Sequence, residues 1–232
     1  MNYFLIFLSI PTIFIINKFL VNRNFLLNFS GESHQGFVSK SKTPLSGGII
    51  ILFFLLINLS NYNLNLLIFF LLIFGLGIIS DTHFIKSPSV RIIIQFLIIL
   101  SLIIFFDVKI RDLRIDYLNY FLQFDFVCYL FLTFCLLILI NGTNFIDGCN
   151  TLVLGYYLLI LLLLKELNYF SLVGISQNFL IDFIFILLIL YIFNLFGKLF
   201  LGDSGVYLIS LFFGFFLTNI YINNKFISPY FI

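Results

Sequence analysis

Three aspartates, Asp81, Asp147 and Asp203, sit in segments unlike the rest of the chain. They read S-D-T-H-F-I-K-S-P-S-V-R from Ser80 to Arg91, N-G-T-N-F-I-D-G-C-N-T from Asn141 to Thr151, and G-K-L-F-L-G-D-S-G from Gly197 to Gly205. A fourth segment, S-K-S-K-T-P-L-S-G-G from Ser39 to Gly48, carries lysines, hydroxyls and a Gly-Gly step at a helix start. Carboxylates are hard oxygen donors that suit a divalent cation such as Mg²⁺. Arg91, Lys42 and Lys198 suit phosphate, Arg91 through a planar fork and the lysines as point charges. The glycines at the start of a helix leave backbone N–H groups for an anion. Asn141, Asn144 and Asn150 add amide donors and acceptors beside Asp147. Acids, bases and helix-start glycines on one surface are what metal-assisted phosphoryl transfer from a nucleotide substrate requires.

These segments must be positioned by an unusually apolar chain. Of its 232 residues, 62% are hydrophobic and only 9% charged. A soluble domain carries about 25% charged residues, so a water-soluble enzyme, a nucleic-acid binder and a disordered chain are excluded. With 12 Lys+Arg against 10 Asp+Glu, no polybasic partner site is implied. Apolar runs cover residues 3–20, 45–59, 64–79, 90–106, 117–140, 152–164, 179–196 and 206–221. A spanning helix needs roughly 20 apolar residues. The runs therefore predict an all-α polytopic membrane bundle of about eight transmembrane helices, forming one domain over residues 1–232. They lack the alternation expected of outer-membrane strands.

Lys18 and Arg23 lie at the end of the first run and just after it instead of preceding it, which predicts an uncleaved first helix with the N-terminus outside. Alternation then puts all four polar segments on the inner face. The remaining acids fall elsewhere: Glu32 in a loop, and Asp107, Asp112, Asp116, Asp125, Glu166 and Asp182 in or beside the outer connections. The stretch from Asp107 to Asp116 alternates apolar and charged residues, which predicts a short surface strand or hairpin. Cys128, Cys135 and Cys149 form neither a disulfide framework nor a paired zinc spacing.

Taken together, the four segments resemble the polyprenyl-phosphate N-acetylhexosamine-1-phosphate transferases. This family includes the undecaprenyl-phosphate GlcNAc-1-phosphate transferases and the phospho-MurNAc-pentapeptide translocases. Its T-P-x-x-G-G element is matched by Thr43, Pro44, Gly47 and Gly48, and its D-D element with later Arg and Gln by Asp81, Arg91 and Gln95. N-x-x-N-x-x-D-G is matched by Asn141, Asn144, Asp147 and Gly148, and K-x-F-x-G-D-x-G by Lys198, Phe200, Gly202, Asp203 and Gly205. The resemblance implies that polyprenyl phosphate attacks the β-phosphorus of a UDP-N-acetylhexosamine, releasing UMP and starting a lipid-linked envelope glycan. It implies a bacterial inner-membrane location, a cytoplasmic active site, a requirement for Mg²⁺ (with Mn²⁺ as the alternative ion) and, by analogy, a homodimer. Asp203 and Asp81 would hold the metal. Asp81 would also position or deprotonate the lipid phosphate, and Asp147 with Asn141 and Asn144 would face the nucleotide. Lys42 and Lys198 would balance phosphate charge, and Thr43, Pro44, Gly47, Gly48 and Arg91 would help bind the substrate.

Three departures stand out. Ser80 replaces the first acid of the D-D pair, and a serine cannot serve as a base near neutral pH. Asn150-Thr151 replaces a later Asp-Gly. Family members also continue past the G-D element into further helices and a His-containing loop, whereas His34 and His83 are this chain's only histidines. The resemblance therefore implies a C-terminally short chain and leaves an alternative: an inactive remnant with a structural or interaction role. A transporter fits less well, because its acids belong at mid-bilayer depth and no inverted repeat is evident.

Overall fold

A computed structural model describes residues 3–28, 42–59, 63–167, 169 and 174–224; His34 and Glu32 lie outside them. Among the described residues the elements are α1 (Tyr3–Arg23), α2 (Gly47–Leu59), α3 (Leu64–Asp81), α4 (Pro88–Phe105), α5 (Asp116–Leu122), α6 (Asp125–Ile146), α7 (Leu152–Glu166), α8 (Gln177–Leu195) and α9 (Gly202–Asn223). Leucine-, isoleucine- and phenylalanine-rich stretches form helices here because lipid offers no partner for a bare peptide group, and a helix satisfies its own. Five of them, α3, α4, α6, α8 and α9, are long and apolar enough to cross a membrane, and α2 is a shorter apolar helix. The chain is a multi-pass membrane protein.

Local chemistry sets several helix ends. The Asn63 side chain accepts from the backbone N–H of Asn65 (3.0 Å) and Leu66 (3.3 Å) to start α3. Ser176 accepts from Phe179 N–H at 3.2 Å to start α8, and Pro88 opens α4 at a position where its missing N–H costs nothing. Two expectations need correction. The apolar run at 117–140 is not one helix: it breaks at Gln123–Phe124 into the short α5 and the long α6. The 107–115 stretch is an irregular loop, with Asp107 and Arg114 both at positive φ; among the described residues the only β pairing is an isolated bridge, Leu27 to Pro44. Charge pairing outweighs alternation in that loop. Lys109 bridges Asp107 (2.7 Å) and Asp125 (2.9 Å), and Arg111 reaches Asp125 at 2.6 Å. The Lys109 ammonium, with Tyr129, holds the Asp107 carboxyl below its usual range. Asp182 also departs from expectation, being buried within α8 instead of lying in water.

The buried helix is α9, which packs against α3, α2 and α6. Helices in lipid gain little from hydrophobicity alone, so close approach matters more. A Cβ on Gly77 of α3 would lie 2.2 Å from Ser204 Cα, and one on Gly48 of α2 would lie 2.5 Å from Gly205 N. Both contacts are with backbone, so neither neighbour can swing aside. Higher in the bundle, aromatic side chains fill the space: Phe54 stacks on Phe183 with centroids 4.9 Å apart, and Tyr157 on Phe213 at 4.5 Å.

This contact yields a direct test. Gly77→Val should destabilise the fold by about 3 kcal/mol or more through overpacking against the α9 backbone. Gly75→Ala, on the same helix with nothing within 4 Å of the added Cβ, should leave stability unchanged or raise it by about 0.5 kcal/mol. Thermal unfolding in detergent separates the two; equal midpoints would refute the close-packed interface.

Candidate functional site

Helix direction alternates along the chain, so the C-terminal ends of α3 and α6 and the N-terminal ends of α2, α4 and α9 meet at one end of the bundle. A cavity of about 460 Å³ opens there. Asp81 comes from the last turn of α3, Arg91 from the first turn of α4, Asn144 and Asp147 from the end of α6, and Asp203 from the first turn of α9. Residues far apart in sequence are thus gathered in one polar hollow.

The backbone at the start of α9 explains how Asp203 is held. Gly202 has φ +70, a conformation that side chains resist, and a Cβ there would meet Asp81 Oδ2 at 2.8 Å. With that space left open, the Asp81 carboxylate reaches the helix end. Its Oδ1 accepts from Asp203 N–H at 2.8 Å and its Oδ2 from Ser204 N–H at 3.1 Å. Asp81 therefore caps α9 from a different helix, a role usually filled by the residue just before a helix. The Asp203 carboxylate is then aimed at a second set of donors. Its Oδ2 lies 3.0 Å from Arg91 Nη1 and accepts from Tyr207 Oη at 3.3 Å and from the Ser80 hydroxyl. The same Arg91 nitrogen donates to Ser80 Oγ at 2.5 Å.

Asp147 lies at the end of α6. Burial, with the Asp203 and Asp81 carboxylates nearby, pushes its carboxyl up to about 8. Three acids around one hollow repel one another, and the cheapest relief is a proton or a cation. Among the described residues no three acidic, histidine or cysteine side chains form a ready-made metal cluster. Magnesium seldom needs one, since one or two carboxylates, water and substrate phosphates commonly complete its shell. Asp203 and Asp81, whose oxygens keep lone pairs beyond the bonds described, fit a cation held in that shared way.

Other predicted residues are placed differently. Thr43 Oγ1 donates to Gly197 O at 3.3 Å, Phe200 N–H donates to Pro44 O at 3.0 Å, and the Gly47 and Gly48 N–H groups donate to Phe200 O and Leu201 O. The T-P-x-x-G-G segment thus braces the loop before α9, and its helix-start N–H groups are spent on carbonyls instead of facing an anion. Lys42 donates to Asn24 Oδ1 at 2.6 Å, and neither it nor the exposed Lys198 lines the cavity. Asn141 lies deeper, donating to Gln95 Oε1 and Leu137 O, both at 2.9 Å.

Sequence reasoning missed Tyr207, which donates to Asp203, and two further residues. His83, in a left-handed turn after α3 (φ +57), lines the cavity. Asn194 is buried; its Oδ1 accepts from Thr151 N–H at 2.5 Å and its Nδ2 donates to Leu199 O at 3.0 Å. One amide thereby ties the loop after Asp147 to the loop before Asp203. A lone asparagine closing an apolar helix next to the G-D element was the available signal.

The raised carboxyl gives a pH prediction. Between its ordinary value of 3.8 and about 8, Asp147 keeps a proton in the folded chain that the unfolded chain has lost. This group therefore lowers stability as pH rises through that window. Without added metal, Asp147→Asn should flatten the fall of the unfolding midpoint between about pH 4 and about pH 8; an unchanged slope would refute the assignment.

Comparison with curated proteins finds no match. The glycosyl transferase family 4 model, however, matches residues 63–221, more than half of the chain, and includes Asp81, Arg91, Asp147 and Asp203. The chain therefore belongs to glycosyl transferase family 4, a family of polyprenyl-phosphate sugar-1-phosphate transferases.

Proposed function

We propose that this chain transfers an N-acetylhexosamine-1-phosphate from a UDP-sugar to a polyprenyl phosphate such as undecaprenyl phosphate, releasing UMP, on the cytoplasmic face of a bacterial inner membrane. The observation that carries this reading is the single cavity in which Asp81, Asp147, Asp203 and Arg91 meet at one end of the bundle. A site at the ends of membrane helices is reachable by a water-soluble nucleotide and by a lipid headgroup, which a mid-membrane site would not be.

In the reaction a lipid phosphate oxygen forms a bond to the β-phosphorus. The bond from that phosphorus to the bridging oxygen breaks, and its electron pair leaves with UMP. Little covalent chemistry is asked of the protein, and positioning with charge stabilisation does most of the work. Arg91 offers its fork to a phosphate. Asn144 and Asn150, both lining the cavity, provide amides for the nucleotide, and Asp147 sits beside them. Asp81 fixes the first turn of α9 and with it the direction of Asp203. Lys42 and Lys198, exposed at the same end, add positive charge for the approaching lipid phosphate. Asp203, with Asp81 beside it, would hold Mg²⁺, which when bound offsets charge on the diphosphate and on departing UMP.

The test is UMP release by the purified chain from several UDP-sugars, with polyprenyl phosphate, with and without Mg²⁺. Release should require both lipid and cation and should fall at least about 100-fold in Asp203→Ala. No release from any UDP-sugar by folded wild-type protein, or an unchanged rate in Asp203→Ala, would overturn the proposal.

A further inference from the structure

Asp203 is engaged by the protein's own side chains. Arg91 lies 3.0 Å from its Oδ2, and Ser80 and Tyr207 donate to the same oxygen. Ser80 does two things at once, accepting from Arg91 Nη1 at 2.5 Å and donating to Asp203. A hydroxyl can do both through one oxygen; an ionised acid accepts and cannot donate. The side chains of Arg91 and Asp203 are about three-quarters buried (25% and 23% exposed), so their attraction is weakly screened.

The geometry points to Arg91, steadied by Ser80, as a stand-in for the divalent cation on Asp203. A cation arriving alone meets a carboxylate already neutralised and a guanidinium that repels it. A diphosphate entering the cavity offers Arg91 a planar, doubly accepting partner. Arg91 then turns from Asp203 to phosphate, and Asp203 is released to the cation. Cation and diphosphate therefore bind cooperatively, each raising the affinity of the other by the same factor. Ser80 is a positioning residue in this scheme, because it acts through Arg91 and Asp203. The inference rests on the donor and cation of the proposed function, and adds the coupling between them and the residues that set it.

The test uses the full chain in detergent, with Mn²⁺ as the probe and UDP as the diphosphate. Water-proton relaxation distinguishes protein-bound Mn²⁺ from Mn²⁺ held by UDP in solution, and Asp203→Asn gives the background. Wild-type protein should bind Mn²⁺ weakly alone and at least about tenfold more tightly in the ternary complex. Arg91→Gln should bind Mn²⁺ alone about tenfold more tightly than wild type, so the further gain from UDP, now only what its phosphates supply by direct coordination, is smaller than in wild type. Should Arg91→Gln fail to fold, Ser80→Ala is the second variant, with a gain of about threefold for Mn²⁺ alone. Equal Mn²⁺ affinity in wild type and these variants, with UDP still binding, would overturn the coupling alone. A wild-type chain that forms no ternary complex would overturn the functional reading beneath it.

Discussion

The start of α9 is the constraint on which the rest of the structure depends. A helix leaves its first N–H groups without partners, and at the edge of a membrane bundle they must be satisfied by protein or by scarce water. Here α9 begins inside the bundle, against α2 and α3, where its own preceding residue, Leu201, has no side-chain acceptor to offer. Asp81 of α3 supplies the missing oxygens, one for Asp203 N–H and one for Ser204 N–H. The negative carboxylate also lies where the helix dipole is positive. One contact thereby closes a polar defect, fixes two helices against each other and aims Asp203.

That cap works only because the surrounding residues are small. Gly202 leaves room for the carboxylate, Gly77 lets α3 approach Ser204, and Gly48 meets Gly205 across α2 and α9. The T-P-x-x-G-G segment then pairs with the 197–201 loop, and Asn194 ties that loop to the one after α6. Polar residues that look like ligand donors in the sequence are therefore divided into two groups. Some face the cavity, and others hold the backbone that surrounds it.

This division explains what the sequence could convey. Helix positions were legible because apolar runs in lipid have one backbone solution, and the gathering of Asp81, Asp147 and Asp203 at one end followed from counting crossings. The break at Gln123–Phe124 was not legible, since α5 is itself rich in apolar and aromatic residues and continues the run of α6. Neither was the loop at 107–115, where ion pairs from Lys109 and Arg111 to Asp125 override an alternating pattern. Pattern matching placed Gly47 and Gly48 correctly at a helix start but could not tell a glycine that bares its N–H for an anion from one that lets a neighbour in. That distinction depends on what lies opposite, here Phe200, Leu201 and Gly205, more than 150 positions away in the chain.

Ser80 shows how such context changes the meaning of a substitution. Read along the sequence, serine in place of an acid is a loss of charge. In the folded chain an acid at that position would be a fourth carboxylate beside Asp81, Asp147 and Asp203, with Arg91 the basic side chain lining the cavity opposite them. Burial, with repulsion from Asp203 and Asp81, already favours keeping a proton on Asp147. A hydroxyl avoids adding to that repulsion and still occupies the space between Arg91 and Asp203, donating to one and accepting from the other. The substitution thus lowers the electrostatic cost of the site while preserving its connectivity, a consequence visible only once the three side chains are seen to touch.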